Sequence, residues 1–288
     1  MGYVILDLEF NGAYSKKFDK FINEIIEFGA IKLDNNLNIV DKFSMLVKPQ
    51  IRKSLNSRVK ELTNISSLEL SKSSNFECVL EKFKIFLGSD TLITWGISDI
   101  QVLIQNYNYY YNNIRIPFIK KFINLQKYCQ DTLKYNQTQQ LGLLTTVKLL
   151  NIDEMYIEHH RALDDSILSL KCLKKIYNNN FFNYIQNADC NEFFDEITFK
   201  VTFIKNLNHP LLHSKDIEFK CEKCKTKSKK ISSWKNKGNN HIAKFKCPNC
   251  KNEFIGKLQL KSTYNGIIVK KKIIPQESQL ELGENYDI

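Results

Sequence analysis

Three groups of side chains along this sequence could bind a divalent metal or move a proton. The first is Asp7-Leu8-Glu9. On a β-strand, residues i and i+2 face the same way, so both carboxylates would leave one surface. Adjacent acids repel each other until a cation neutralises them, which makes the pair a candidate divalent-metal site. Taken alone, two solvent-facing acids explain the same tripeptide. The second group is His160-Arg161-Ala162-Leu163-Asp164-Asp165, ahead of a segment with helical apolar spacing. An imidazole titrates near neutral pH and suits proton abstraction, and an acid in the first helical turn can complete a metal site with Asp7. An exposed His and acids favoured by the helix dipole fit that hexapeptide equally well. The third is Asp99, in Thr94-Trp95-Gly96-Ile97-Ser98-Asp99, where a strand ends and a helix begins; a helix cap is its simplest account.

A fourth group is of another kind. Cys221-Glu222-Lys223-Cys224 and Cys247-Pro248-Asn249-Cys250 are two Cys-x-x-Cys units with 22 residues between them. Four thiolates in that layout hold Zn²⁺ tetrahedrally, as in a zinc ribbon, and a full Cys₄ set leaves no open position for catalysis. Disulfides are the weaker reading for a chain whose start reads as a strand and not as a secretory signal. The chain is expected to be cytoplasmic. Cys78, Cys129, Cys172 and Cys190 read as inert thiols.

These residues need elements to position them. Tyr3–Glu9, Ile25–Leu33 and Lys42–Val47 read as a three-strand antiparallel meander. Asn56–Ile65 and Asn75–Leu87 have helical spacing, the second with Phe76, Val79, Leu80, Phe83 and Leu87 on one stripe. Thr91–Trp95 reads as a strand, and a helix opens at Asp99 and runs into the Tyr-rich segment 107–111. Lys127–Leu133 reads as a further strand, and Leu141–Leu150 and Ala162–Tyr177 as helices. Strands first, then strands alternating with helices, specify an α/β domain with a mixed sheet. Near residue 183 the periodicity lapses, and Ile197–Ile204 reads as a strand leading into the basic part. The expected layout is a domain over 1–183, a linker over 184–204, a basic zinc-ribbon β domain over 205–275, and a solvated acidic tail over 276–288.

The order Asp-x-Glu on the first strand, Asp after the fourth, and His-x-Ala-x-x-Asp before the last helix resembles the DEDDh (DnaQ-like) family of 3′–5′ exonucleases. Glu24-Ile25-Ile26-Glu27-Phe28-Gly29-Ala30, Glu61-Leu62-Thr63-Asn64-Ile65 and Gln130-Asp131-Thr132-Leu133 support the resemblance, which covers roughly residues 1–180. It implies an RNase H-like fold with a five-stranded mixed sheet flanked by helices. It also implies two Mg²⁺ or Mn²⁺ ions held by Asp7, Glu9, Asp99 and Asp165, with His160 deprotonating the attacking water and His159 and Asp164 as bystanders. Two ions clamp the attacking and leaving oxygens of a phosphodiester, and four carboxylates balance their charge. Many members continue the first motif with Thr-Thr-Gly, whereas this chain has Phe10-Asn11-Gly12, more similar to a KapD-like branch; Phe10 and Asn11 are candidate contacts to the terminal nucleotide. The implied substrate is a 3′ end of single-stranded RNA, or of single-stranded DNA in the alternative. A non-catalytic nucleic-acid-binding regulator is the rival from another class, and a zinc-ribbon adaptor is a second.

Charge divides the chain in the same place. The formal net charge is +11, yet residues 1–196 carry 23 basic and 23 acidic side chains. Residues 217–275 hold 16 Lys against three Glu. Lys223–Lys237 and Lys270-Lys271-Lys272, with Trp234 and Phe245 interleaved, are expected to grip phosphates and stack on bases, although lysines that merely solvate a small module fit the same count. At 43% hydrophobic residues and with no apolar run near the roughly 20 residues of a membrane span, disordered and membrane-spanning classes are excluded.

Overall fold

Strand β1 (Tyr3–Ser15) is buried on both faces: Tyr3 and Ile5 enter one apolar cluster, Val4, Leu6 and Leu8 the other. Such a strand needs a neighbour on each edge and a layer on each face, and the rest of the first unit supplies them. The computed structural model describes residues 2–135, 140–153 and 161–275, and the chain divides into two units between Thr198 and Phe199. In the first unit β1 is followed by β2 (Lys20–Leu33), β3 (Ile39–Leu46), α1 (Ser57–Thr63), α2 (Ser67–Lys72) and α3 (Phe76–Leu87). Then come β4 (Thr91–Thr94), α4 (Ser98–Tyr111), β5 (Lys121–Asn124), α5 (Leu125–Thr132), α6 (Leu143–Leu149), α7 (Ala162–Ile176), β6 (Gln186–Asn187) and α8 (Asn191–Thr198).

The sheet order is β3-β2-β1-β4-β5-β6. β1, β2 and β3 form the antiparallel meander; β4 and β5 join parallel to β1 and to each other, and β6 closes the edge antiparallel. One face is covered by α3 and α4, which bring Phe76, Val79, Leu80, Phe83, Ile100 and Leu103 to the first cluster. The other is covered by α5 and α7, through Leu125, Tyr128, Leu170 and Leu173. This is the RNase H-like α/β architecture, flanked by helices on both sides.

Four expectations are corrected or extended. The sheet has six strands where five were expected, because β6 is two residues long and no side-chain period can announce it. Lys127–Leu133 is not a strand. Leu125, Tyr128 and Cys129 are buried at i, i+3 and i+4, and the Asn124 side chain accepts the Lys127 N–H, so α5 starts there and the strand precedes it. The segment 184–204, expected as a linker, contains α8, whose Phe193, Phe194 and Ile197 enter the first cluster. Ile197–Ile204, expected as a strand, is split between the end of α8 and the short β7 (Thr202–Phe203). Tyr107 stacks on Tyr111 and Tyr110 on Phe76, a packing role for the Tyr-rich segment.

The second unit is a small sheet of β7, β8 (Lys229–Lys230), β9 (Lys235–Lys237), β10 (Asn240–Lys246), β11 (Glu253–Thr263) and β12 (Gly266–Pro275). Its core is modest: Ile204, Phe219, Ala243, Phe245, Phe254, Leu258 and Leu260 are buried, with Trp234 packed against them. Of the two rings expected to stack on bases, Phe245 lies in the unit's own interior and the half-buried Trp234 indole packs against it. Among the described residues, no helix is long and apolar enough to cross a membrane.

Candidate active site

Alternation along β1 decides which residues meet. Asp7 and Glu9 share the side of Tyr3 and Ile5, which faces α7, while Phe10 falls with Leu8 on the opposite side and packs against the first cluster. Asn11 is fully buried. Its side chain donates to the Ser54 carbonyl at 3.2 Å and accepts the Asn56 N–H at 3.0 Å, which fixes the loop before α1. Glu24 fixes the preceding stretch by accepting backbone N–H groups of Gln50, Ile51 and Arg52. Phe10 and Asn11, expected as substrate contacts, are thus placed in packing and loop-holding positions.

Helix α7 is brought against β2 by three features. Gly29 has no side chain, and a Cβ built there would fall far inside contact distance of the Ala162 carbonyl carbon and the Leu163 nitrogen. Ser166 Oγ donates to the Gly29 carbonyl at 2.9 Å. Glu27, 1% exposed, takes Arg161 in a forked ion pair, with Nη2–Oε1 at 2.7 Å and Nε–Oε2 at 3.1 Å, and its carboxylate also accepts the Ala162 N–H at 3.4 Å. A bidentate Arg–carboxylate pair fixes orientation as well as distance. The residues Glu27, Gly29 and Arg161 were visible as motif text, but their joint role depends on a β2–α7 contact more than 130 positions apart in sequence.

The result is convergence. Oxygens of Asp7, Glu9 and Asp165 all lie within 4.8 Å of one another. Asp99 is 7% exposed at the start of α4, where Gly96 at φ +80° turns the chain out of β4, and it accepts the Leu8 N–H. Burial, and then the charges of Asp99, Asp165, Glu9 and Glu27, push the Asp7 carboxyl well above its ordinary range. Burial followed by Asp165, Glu27 and Asp99 raises Glu9 to about 8, against a lowering by Arg161. Burial raises Asp99 to about 7, opposed by its backbone hydrogen bonds and reinforced by Asp165. Like charges gathered in a poorly solvated site are stable as anions only beside cations, so the donor set suits divalent metal ions with oxygen ligands. His160 lies outside the described residues; Arg161, next to it, is held by Glu27.

A sheet of this order, with Asp7 and Glu9 of β1 brought to Asp165 of α7 and Asp99 of α4 close enough to act on Asp7, is the arrangement of an RNase H-like nuclease. Residues 4–173 match the Exonuclease (RNase_T) family, and the chain belongs to it. It is 31% identical over 183 residues to the probable 3′–5′ exonuclease KapD of Bacillus subtilis, a match covering 60% of this chain and 83% of KapD. It is 28% identical over 165 residues to human 3′–5′ exoribonuclease 1, covering 51% of this chain but 44% of that protein. The crystallographic nuclease domain of 3′hExo, a DEDDh family member bound to rAMP, superposes with a TM-score of 0.56 at 24% identity, covering 65% of this chain and 96% of that one. The protein is a 3′–5′ exonuclease of a family that depends on divalent cations.

The second unit holds the other cluster. The sulfurs of Cys221, Cys224, Cys247 and Cys250 lie within 4.8 Å of one another. The closest pairs are Cys224–Cys247 at 3.3 Å, Cys221–Cys250 at 3.5 Å and Cys224–Cys250 at 3.6 Å. Tetrahedral Zn–S bonds of about 2.3 Å place sulfurs roughly 3.8 Å apart, whereas a disulfide needs about 2.05 Å. The spacing fits a tetrahedral metal and not disulfides. The Thr226 hydroxyl and N–H, with the Cys247 thiol, lower Cys224 to about 5, while the sulfurs of Cys221, Cys224 and Cys247 hold Cys250 up at about 11. Cys129 and Cys172 are buried, and burial raises both thiols, as inert side chains require.

Proposed function

We propose that the chain removes nucleoside 5′-monophosphates from the 3′ end of single-stranded RNA, with single-stranded DNA as the second substrate to test. The observation that carries the chemistry is the meeting of Asp7, Glu9 and Asp165 within 4.8 Å, with Asp99 beside them. RNA is preferred because the relatives include named exoribonucleases. Asp7, Glu9 and Asp165 would hold Mg²⁺ or Mn²⁺ directly, and Asp99 would support the second ion. When bound, two such ions neutralise the charge that grows on the attacking and leaving oxygens.

The chain's own residues do the rest. His160 would take the proton of the attacking water. Asp7 and Glu9 are presented by β1 just beyond the stretch that pairs with β4, and both stay paired with β2, opposite Gly29 and Glu27. In the second unit Cys221, Cys224, Cys247 and Cys250 would hold one structural Zn²⁺, and the basic sheet they staple would grip the substrate strand.

The test uses purified protein, Mn²⁺, and 5′-labelled single-stranded RNA and DNA. Wild type is expected to shorten RNA from its 3′ end. Losing a ligand that stabilises transition-state charge by several kcal/mol, as in Asp7→Ala, is expected to slow trimming at least about a hundredfold. His160→Ala should lower the rate while metal still binds, and Asp164→Asn should trim like wild type. An Asp7→Ala protein as active as wild type would sink the assignment of the site.

A further inference from the structure

The lysines of the second unit are sorted by the sheet. Directly opposed residues of an antiparallel pair project to the same face. One face of β10–β11–β12 carries Ala243, Phe245, Phe254, Leu258 and Leu260, the unit's core. The other face carries Lys244 and Lys246 on β10, Lys257 and Lys261 on β11, and Lys270 and Lys272 on β12; Ile242 and Ile255 lie buried among them, Lys244, Lys257 and Lys261 are half-buried, and Lys246, Lys270 and Lys272 are exposed. Lys229 opposite Lys246 extends it through β8, and Lys235 and Lys237 extend it through β9. Among the described strand residues, nine lysines share this face with one carboxylate, Glu253, bonded to Lys246 at 2.6 Å.

Two pairs, Lys257–Lys272 and Lys229–Lys246, stand directly opposite one another. Like charges opposed across a ladder destabilise it, and a polyanion laid along the face removes that cost. Their sequence neighbours behave differently. Lys271 turns to the core face, donates to the Lys215 and Glu218 carbonyls at 2.7 and 2.8 Å, and covers the Phe219 ring. Lys230 lies over Trp234. A lysine triplet that reads as one patch in sequence is therefore split by strand alternation into a structural residue and two open ones. Phe203, with Lys261 5.2 Å above its ring, is the aromatic ring beside the open lysines.

We infer that this open lysine face is the surface that holds the sugar–phosphate backbone of single-stranded RNA; the inference rests on the RNA reading proposed above. It is tested by fluorescence anisotropy of a labelled oligouridylate with the full zinc-loaded chain, without other divalent ions, over a KCl series. Each phosphate contact to a single strand contributes about 0.7 to the slope of log affinity against log salt, so Lys257→Gln/Lys272→Gln is expected to reduce the slope by about 1.4. Lys257→Arg/Lys272→Arg should keep the wild-type slope. The glutamine pair should melt no lower than wild type, since it removes an opposed like-charge pair. Lys174→Gln/Lys175→Gln, at the end of α7, is the charge-matched control and should leave the slope unchanged. An unchanged slope in the open-face variant, or an equal change in the control, overturns the inference. So does loss of binding to phosphatidylserine vesicles with RNA affinity intact. Trimming of RNA by the wild-type chain with Mn²⁺ is scored separately. Its absence removes the RNA reading, whereas trimming with an unchanged slope removes the open face alone.

Discussion

Asp7, Glu9 and Asp99 are raised by burial and by each other, so the folded protein without divalent ions holds protons that the unfolded chain releases at ordinary carboxylate values. The sign follows from linkage. A carboxyl whose folded pKa lies above its unfolded one contributes stability that is full at low pH and is lost as pH rises through the window between the two. For Glu9 that window closes at about 8 and for Asp99 at about 7. Thermal melts in buffer free of Mg²⁺ and Mn²⁺ are therefore expected to show Tm falling between about pH 5 and pH 8, with Mn²⁺ raising Tm most at the upper end. Glu9→Gln should flatten both dependences. A melting temperature that climbs over this range without metal would contradict the geometry of the cluster. All four carboxylates were legible as residues in the sequence, because strand alternation and helix starts have local signatures. The depth of the shifts was not, since burial depends on α7 and α4 closing over β1.

At the scale of elements, the site depends on how closely α7 approaches β2. Gly29 permits that approach, and an alanine there would press its methyl group into the backbone of Ala162 and Leu163. Those atoms are main chain at a helix start and have little room to give, so Gly29→Ala is expected to destabilise by about 1–3 kcal/mol and to move Asp165 away from Asp7 and Glu9. The check is a denaturant titration beside steady-state kinetics: stability and kcat should fall together, and the Mn²⁺ concentration for half-maximal rate should rise. Unaltered metal dependence would show that α7 docks by other means. Helices α3, α4 and α7 and the meander were legible because their apolar spacing is long and regular. The strand at 121–124 and the helix after it were misplaced because a four-residue buried strand and a capped helix start share one apolar run. β6 carries no periodic signal at all, and α8 became readable only through Phe193, Phe194 and Ile197 packing against the first cluster.

At the scale of the whole molecule, the sequence already divides into a charge-balanced part and a basic one, and the two units inherit that division. The first has two large apolar clusters on either side of a six-stranded sheet. The second has seven buried apolar residues in its main cluster, together with opposed lysines that work against its sheet. A core that small rarely supports a domain unaided, so the proposed Zn²⁺ in the Cys₄ site would supply the missing folding energy. Chelation should then unfold the second unit and spare the first. The two tryptophans make this measurable: Trp95 packs in the first unit and Trp234 against the core of the second. In a Trp95→Phe chain, a zinc-selective chelator is expected to shift the emission of Trp234 to the red and to abolish the lower of two melting transitions, and added Zn²⁺ should restore both. Cys247→Ser should reproduce the chelated state without chelator. An unshifted Trp234 spectrum after complete zinc removal would show that the small core holds by itself.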